Sequence, residues 1–290
     1  MNLLEEFGPL LFKYITVLLD RKTVSCNTRL PSRIEHMISV DTGFSHDEMY
    51  RMLYTPFEKG CPVQLRTLTD EQVEQIPFMH QVLHLMNMLS AGELKLTAKG
   101  YIPPKIVEDI YLMGARSWNT DWFKQKSEPK TEEIQVLRVV LKECGLIKIR
   151  FGKMSLTAKG QKLIGSRNEL LRSVILFLMH NYNTGWLDLH EDLEVGNVGR
   201  LYSLWLLHRY GDVWRHTDFY TAEYAKAFPM MDDYSAYGYR IFNRLFHLIG
   251  LCEVNERPED RGTGFGRKVL KTSVLDMMFE FAEPEDNLTR

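Results

Sequence analysis

A five-residue segment, Leu-Thr-Ala-Lys-Gly, occurs twice in this chain, at 96–100 and again at 156–160. Apolar residues at helical spacing precede both copies, which indicates that each copy follows a helix. Recurrence in the same position after a helix favours a chain built from repeated supersecondary units. We therefore expect Thr97 and Thr157 each to cap a helix, with the hydroxyl accepting from an amide two or three residues further on.

The segment before the second copy has the pattern of a helix followed by a hairpin. Apolar residues recur at helical spacing over 132–144, and Gly-Leu-Ile follows at 145–147. Residues 147–151 alternate between apolar and basic side chains, as in a half-exposed strand. Residues 151–153 can turn the chain, and 154–156 can return as a second strand. The sequence thus predicts a helix and then a short basic hairpin.

This pattern resembles a known class of fold. The run from Thr131 to Ile164 resembles winged helix-turn-helix proteins of the bacterial multidrug-regulator type, in which a helix ending in Gly-Leu-Ile leads into a β-wing and a Leu-Thr-x-x-Gly helix start. Residues from about 78 to 281 are more narrowly similar to an uncharacterised winged-helix region that accompanies plasmid-borne open-reading-frame proteins in bacteria. The narrower likeness is carried by Leu96–Pro103, Gly145–Ile147, Leu156–Gly160, Leu245–Leu251, Lys271 and Thr272. The resemblance implies the fold but no known activity.

The predicted fold is mainly α with short β-hairpin wings, in tandem winged-helix-like units. The first unit is degenerate, because 90–93 is too short to hold a two-stranded wing. The last unit is divergent, because no glycine follows Thr272 as Gly160 follows Thr157. We expect an N-terminal helical region (1–68), followed by the degenerate unit (69–102) and a unit with a basic wing (103–165). A C-terminal helical domain that contains the divergent unit (166–282) and a disordered tail (283–290) complete the chain.

Helix starts are marked by capping boxes, in which a Ser or Thr and a Glu or Gln three residues later satisfy unpaired backbone amides. The spacing fits three pairs of residues: Ser32 with Glu35, Ser45 with Glu48, and Thr69 with Gln72. We expect a helix to begin at each pair.

Basic residues are concentrated in one part of a chain whose formal net charge is −2. Between Ile134 and Arg167 there are eight basic residues and one acidic residue, so this segment carries +7 and the remainder −9 (−2 − 7). A local phosphate-binding surface in an acidic protein has this kind of asymmetry. We expect DNA backbone contacts from the polar and basic residues of helix 132–144, the hairpin and the next helix: Gln135, Arg138, Lys142, Lys148, Arg150, Lys153, Lys159 and Lys162.

Two features of helix 132–144 favour a different function. Its first turn holds Glu132 and Glu133, which suit the helix dipole but repel phosphate where a groove-reading helix contacts bases. The helix is also apolar on more than one side, which indicates packing against several neighbours. A protein-interaction adaptor built from degenerate winged helices is therefore the alternative to DNA binding. A hydrolase or nuclease with dispersed catalytic carboxylates is the third hypothesis.

Candidate catalytic and metal-binding patterns favour no enzyme, and no cofactor or metal is expected. His80 and His84 have the spacing of a chelating pair, but Gln81 stands where a zinc protease has its glutamate base. The acidic residues of 188–194 are expected to form a solvated loop. The glycine-rich stretch 261–266 lacks the Gly-Lys-Ser/Thr ending of a P-loop and is expected to be a wing tip.

The remaining features indicate an ordinary cytoplasmic globular protein. Trp118 and Trp122 are expected on a packed helix face, and the aromatic residues of 205–228 in a core. The four cysteines are scattered without a C-x-x-C pair, which suits reduced thiols. The N-terminus lacks the basic region of a signal peptide, and no apolar run approaches the ~20 residues of a membrane span. DNA or a protein is the expected partner, and a membrane is not.

Overall fold

A computed structural model describes residues 42–114, 127–188, 194–229, 231, 233–255 and 266–284, all of which belong to the compact unit Arg33–Arg290. The described part is mainly helical and contains small sheets of two or three strands. Within it, no helix combines the length and the apolar character needed to cross a membrane. Several sequence predictions lie outside the described residues: the first capping box at Ser32, Trp118 and Trp122, residues 261–265 of the expected wing tip, and the tail after 284.

The first part of the chain leads into a set of elements that we call the first block, residues 77–156. The leading elements are α1 (His46–Tyr54), β1 (Val63–Leu65) and α2 (Asp70–Gln75). The first block consists of α3 (Pro77–Ala91), β2 (Leu94–Lys95), α4 (Pro104–Tyr111), α5 (Glu132–Glu143), β3 (Ile147–Arg150) and β4 (Lys153–Leu156). Its antiparallel sheet has the order β2-β4-β3.

A second block, residues 200–271, repeats this order of helix, strand, helix, helix and hairpin. The connection holds α6 (Ala158–Leu163) and α7 (Arg167–Leu176), then a π-helical turn (Phe177–Asn181) and a 3-10 turn (Thr184–Asp188). The second block consists of α8 (Arg200–Tyr210), β5 (Arg215–His216), α9 (Thr217–Ala227), a π-helical segment (Tyr239–Phe246) that continues as α10 (His247–Ile249), β6 (Cys252–Asn255) and β7 (Lys268–Lys271). Its sheet order, β5-β7-β6, matches that of the first block.

The two blocks also share the hydrogen bonds that close each hairpin onto its preceding helix. Gly145 and Gly250 both have positive φ, +69 and +97, which lets the helix end in a left-handed turn. The threonine after each hairpin returns to that glycine: the hydroxyls of Thr157 and Thr272 donate to the Gly145 and Gly250 carbonyls, each at 2.6 Å. These threonines precede α6 and, in the second block, α11 (Ser273–Met278).

Pairings between distant parts of the chain join the elements outside the blocks. β1 pairs antiparallel with β8 (Phe279–Phe281), so the start and the end of the described chain share a sheet. The side chain of Asn168 accepts from the Leu68 amide at 2.8 Å and donates to the Leu68 carbonyl at 2.6 Å. The limits proposed from the sequence for separate units remain predictions, but these contacts cross several of them.

Local helix-start signals are mostly confirmed. Ser45 and Thr69 form complete capping boxes at the starts of α1 and α2. Thr157 caps α6 and accepts from the Gly160 amide at 3.0 Å, as expected. The same expectation is wrong for Thr97, which lies in a turn and whose hydroxyl accepts from the Tyr101 amide at 3.0 Å.

The physical reason for that difference is the chain after each copy of the repeat. Gly100 takes a positive φ of +79 and leads into an extended segment ending at Pro103, so no helix can start there. Gly160 is helical, and a Cβ on it would collide with the Leu146 carbonyl oxygen. The strands that lead into the two copies, β2 and β4, are neighbours in one sheet, since Leu94 pairs with Met154.

Candidate nucleic-acid interface

The helix expected to contact DNA, α5, is buried on most of its surface. Within it only Glu143 is exposed, and Glu132, Gln135, Val139 and Lys142 are half-buried. The fully buried positions run along its whole length: Glu133, Ile134, Val136, Leu137, Arg138, Val140 and Leu141. It packs against α3, α4 and β3. Its half-buried positions form one narrow stripe, which leaves little of the helix surface to enter a DNA groove.

Arg138, which the sequence placed in the phosphate-binding set, is a structural residue instead. Its side chain is 7% exposed and its Nη1 lies 2.7 Å from Oε1 of Glu128, which is 6% exposed. The same Nη1 donates to the Gly100 carbonyl at 2.9 Å, and the other Glu128 oxygen accepts from the Ile102 amide at 2.6 Å. Because Glu128 neutralises Arg138 within the fold, the prediction that it meets a phosphate is wrong.

The first turn of α5 is occupied by the second block. Arg244 lies 3.2 Å from Glu132 and 3.3 Å from Asp188, and its guanidinium also stacks 4.5 Å over the Tyr239 ring. Asp188 accepts from both Nε and Nη2 of the fully buried Arg240, at 2.9 Å each. Asp188 was expected in a solvated loop, but its side chain is 21% exposed and paired with two arginines. Residues 189–193 of that predicted loop lie outside the described residues.

A row of basic side chains crosses the outer face of the β2-β4-β3 sheet. Lys153 pairs with Lys95 on one side and with Arg150 on the other, so these three residues lie side by side on one face. All three are exposed, as is Lys148 two residues before Arg150 on the same face. The opposite face is apolar, and its Met154 and Leu156 are buried. We call Lys95, Lys153 and Arg150 the basic row.

The basic row is electrostatically unfavourable for the free protein. Like charges directly opposite each other on neighbouring strands destabilise a sheet, and here they occupy three adjacent strands. Strands lie about 4.8 Å apart, so the backbone of the row spans about 10 Å. Among the described residues Glu93 offsets it, at 3.0 Å from Lys153, but both side chains are 54% exposed and such a pair contributes little. A net positive surface therefore remains.

The tip of the β3–β4 hairpin adds an aromatic side chain next to the basic row. Phe151 is 101% exposed and follows Arg150 directly. The tip is held by the neighbouring strand, since the Gly152 carbonyl accepts from the Leu96 amide at 2.8 Å. The aromatic ring thus extends from a hydrogen-bonded end of the sheet.

The other expected phosphate contacts do not belong to the sheet. Gln135 is half-buried and donates to the Pro129 carbonyl at 3.3 Å. Lys142 is half-buried and 3.9 Å from Glu143. Lys159 and Lys162 are exposed on α6, and Lys159 donates to the Cys144 carbonyl at 2.8 Å. The sequence analysis did not include Lys95 in the phosphate-binding set. A local signal for it existed, since Leu94-Lys95-Leu96 alternates between apolar and basic side chains as a strand does.

Residues considered for catalysis or metal binding form no recognisable centre in the described part of the chain. No group of three or more His, Cys, Asp or Glu side chains gathers there as a metal site. His80 is exposed and His84 half-buried, while Gln81 between them is buried and donates to the Ile110 carbonyl at 3.2 Å.

The aromatic residues of 205–228 mostly form a core, as expected. Tyr220, Tyr224 and Phe228 are fully buried, and burial raises the pKa of both tyrosine hydroxyls, which keeps them neutral. Trp214 is the exception at 44% exposed.

Comparisons with known proteins add no family to this geometry. No protein-family model matches this chain, and no curated protein or solved structure matches it.

Proposed function

We propose that this chain is a non-enzymatic nucleic-acid-binding protein with two winged-helix-like units, one in each block. The order helix, strand, helix, helix, hairpin, with the first strand beside the last, supports this description of both blocks. The third helix of each block is buried, so the binding surface we propose is the sheet and its hairpin. This differs from groove reading by a helix.

The observation that carries the proposal is the basic row. Three cations in register on adjacent strands repel one another in the free protein, and a bound polyanion relieves that repulsion. Lysine and arginine side chains that meet phosphates position a protein on a duplex without reading its sequence. We therefore expect binding that depends steeply on salt and weakly on sequence.

The test is a fluorescence-anisotropy titration of random duplex DNA at several salt concentrations. Replacing Lys95, Arg150 and Lys153 together by Ala should flatten the log-log salt slope by up to ~3 units, about one for each phosphate that is no longer neutralised. A matched control replaces three other exposed cations, Lys105, Lys130 and Arg172, and changes the net charge equally. The proposal fails if both triple variants alter the slope alike, or if the unaltered protein shows no salt-dependent binding.

A protein-interaction adaptor is the second candidate, and one observation favours it. The third helix of each block is committed to internal packing, and Arg244 of one block pairs with Glu132 of the other. Contacts of this kind between the two blocks suit a rigid scaffold that binds a protein partner through its other surfaces. A flat titration with every nucleic acid would move this candidate ahead.

A further inference from the structure

We infer that Phe151 is a base-stacking residue, and that the ligand of the basic row is nucleic acid with an exposed base face, such as the junction of a duplex and a single strand. This inference rests on the proposed function, because the basic row holds the backbone that brings a base to Phe151.

Phe151 lies at a turn position where a phenylalanine destabilises the fold. Phe151 and Gly152 both have positive φ, +50 and +69, as a two-residue type I′ hairpin turn requires. Asn-Gly and Asp-Gly are preferred there, since a bulky residue with positive φ is a steric outlier. The Phe151 side chain is fully exposed, so no packing offsets its backbone strain. Strained backbone that the fold itself does not require points to a function outside the fold.

The residues around Phe151 suit a ligand that has a planar base next to a negatively charged phosphate backbone. Arg150 and Lys153 pair across the strands and flank the turn. The bond from the Leu96 amide to the Gly152 carbonyl fixes the turn, so little backbone freedom is lost on binding. Aromatic side chains that stack on bases, beside cations that follow the phosphates, are the usual means of binding single-stranded nucleic acid.

An exposed base face distinguishes this ligand from an intact duplex and from a lipid surface. Within a duplex the bases are stacked on each other, and opening a step for an aromatic wedge costs free energy. A terminal or unpaired base presents its face without that cost. A membrane is disfavoured, because stable attachment takes an amphipathic helix or two anchors, and this tip offers one apolar side chain among cations.

The experiment compares the full chain with its F151N and F151W variants on fluorescein-labelled DNA. The probes are a blunt duplex, the same duplex with a single-stranded thymidine tail, and vesicles containing phosphatidylserine as a lipid arm. Asn is the residue that a type I′ turn prefers, so F151N should melt at the same temperature as the unaltered chain or higher. Trp keeps a stacking face, and F151W should retain the junction preference.

The unaltered chain should bind the tailed duplex about tenfold more tightly than the blunt duplex. F151N should lose that difference while its salt slope on the blunt duplex stays unchanged. If F151N keeps the preference for the tailed duplex, the inference is overturned and the proposed function stands. If the unaltered chain binds no nucleic acid, both fail. Vesicle binding that disappears in F151N would overturn the inference in favour of a lipid surface.

Discussion

Replacement of Arg138 by Met tests whether this residue holds the fold together or contacts a ligand. The guanidinium bridges Glu128 and the Gly100 carbonyl, and both charged side chains are below 10% exposed (7% and 6%). Met fills similar volume without charge, so the variant leaves a buried carboxylate that, within the described part of the chain, keeps only the hydrogen bond from the Ile102 amide. Removing one partner of a buried pair destabilises a fold by roughly 3–5 kcal/mol.

The predicted loss in the free energy of unfolding is large enough to measure in a urea titration or in a thermal melt, each followed by circular dichroism. In a folded unit of this size each kcal/mol lowers the Tm by about 2–4 °C, so R138M should melt roughly 6–20 °C lower. The double variant Glu128→Gln with R138M should recover part of the loss, because a neutral amide oxygen can still accept from the Ile102 amide.

The matched control is Arg150→Met, which removes an exposed cation from the same segment and should change the free energy of unfolding by no more than ~0.5 kcal/mol. Below its melting temperature R138M should keep the salt slope of DNA binding, whereas R150M should flatten it. An R138M variant that unfolds with the free energy of the unaltered chain but loses the salt slope would refute the structural role of Arg138.

Two further predictions concern the cap of α6 and a half-buried histidine. Thr157→Ala removes a hydroxyl bonded to Gly145 and Gly160, so it should destabilise the chain by ~1–2 kcal/mol in urea, and Thr157→Ser should not. Burial, and then the charge of Arg200, lower the pKa of His180. Its stabilising contribution is therefore present above pH ~6.5 and is lost as the pH falls through the folded-state pKa. The change in urea midpoint between neutral and mildly acidic pH should be smaller in His180→Gln; an unchanged or larger one would contradict this sign.

Features specified by neighbouring residues could be predicted from the sequence. The capping boxes at Ser45 and Thr69 depend on side chains three residues apart, and each formed as expected. The hairpin of β3 and β4 follows from alternation and from Gly152 at the turn. Each of these features involves only interactions between residues that are close along the chain, so no knowledge of the packing was needed.

The charge counted along the segment differs from the charge at the surface, because acids outside the segment pair with some of its cations. The segment 134–167 counts as +7 in the sequence, but acids from other segments neutralise part of it. Arg167 lies 2.5 Å from Glu74, and Arg138 is enclosed with Glu128. Conversely, Lys95 reaches the basic surface from outside that segment through the pairing of β2 with β4. A count of charges along a chain therefore differs from the charge of a surface.

The identical five-residue repeat was also less informative than a weaker likeness. A Gly-Leu pair follows the third helix of each block, at 145–146 and at 250–251. In both blocks the hydroxyl of the threonine after the hairpin, Thr157 or Thr272, donates to the carbonyl of that glycine. The recurring features are a glycine with positive φ at the helix end and a threonine hydroxyl that donates to its carbonyl. The hairpin between the glycine and the threonine differs in length in the two blocks. Identity at a fixed spacing cannot reveal such a repeat.

The burial of both third helices limits how this chain can use its fold. From Arg240 to Ile249 every residue except Arg244 is buried, and Arg244 is half-buried against Glu132. α5 is buried along its whole length too, apart from one half-buried stripe and Glu143. A helix that is buried on nearly all sides has few side chains left to present to a groove, so most substitutions on it change stability before they change recognition. The sheet is under no such constraint, because its outer face does not contribute to the core. Selection for binding can therefore act on the basic row and on Phe151 without loss of the packing beneath them.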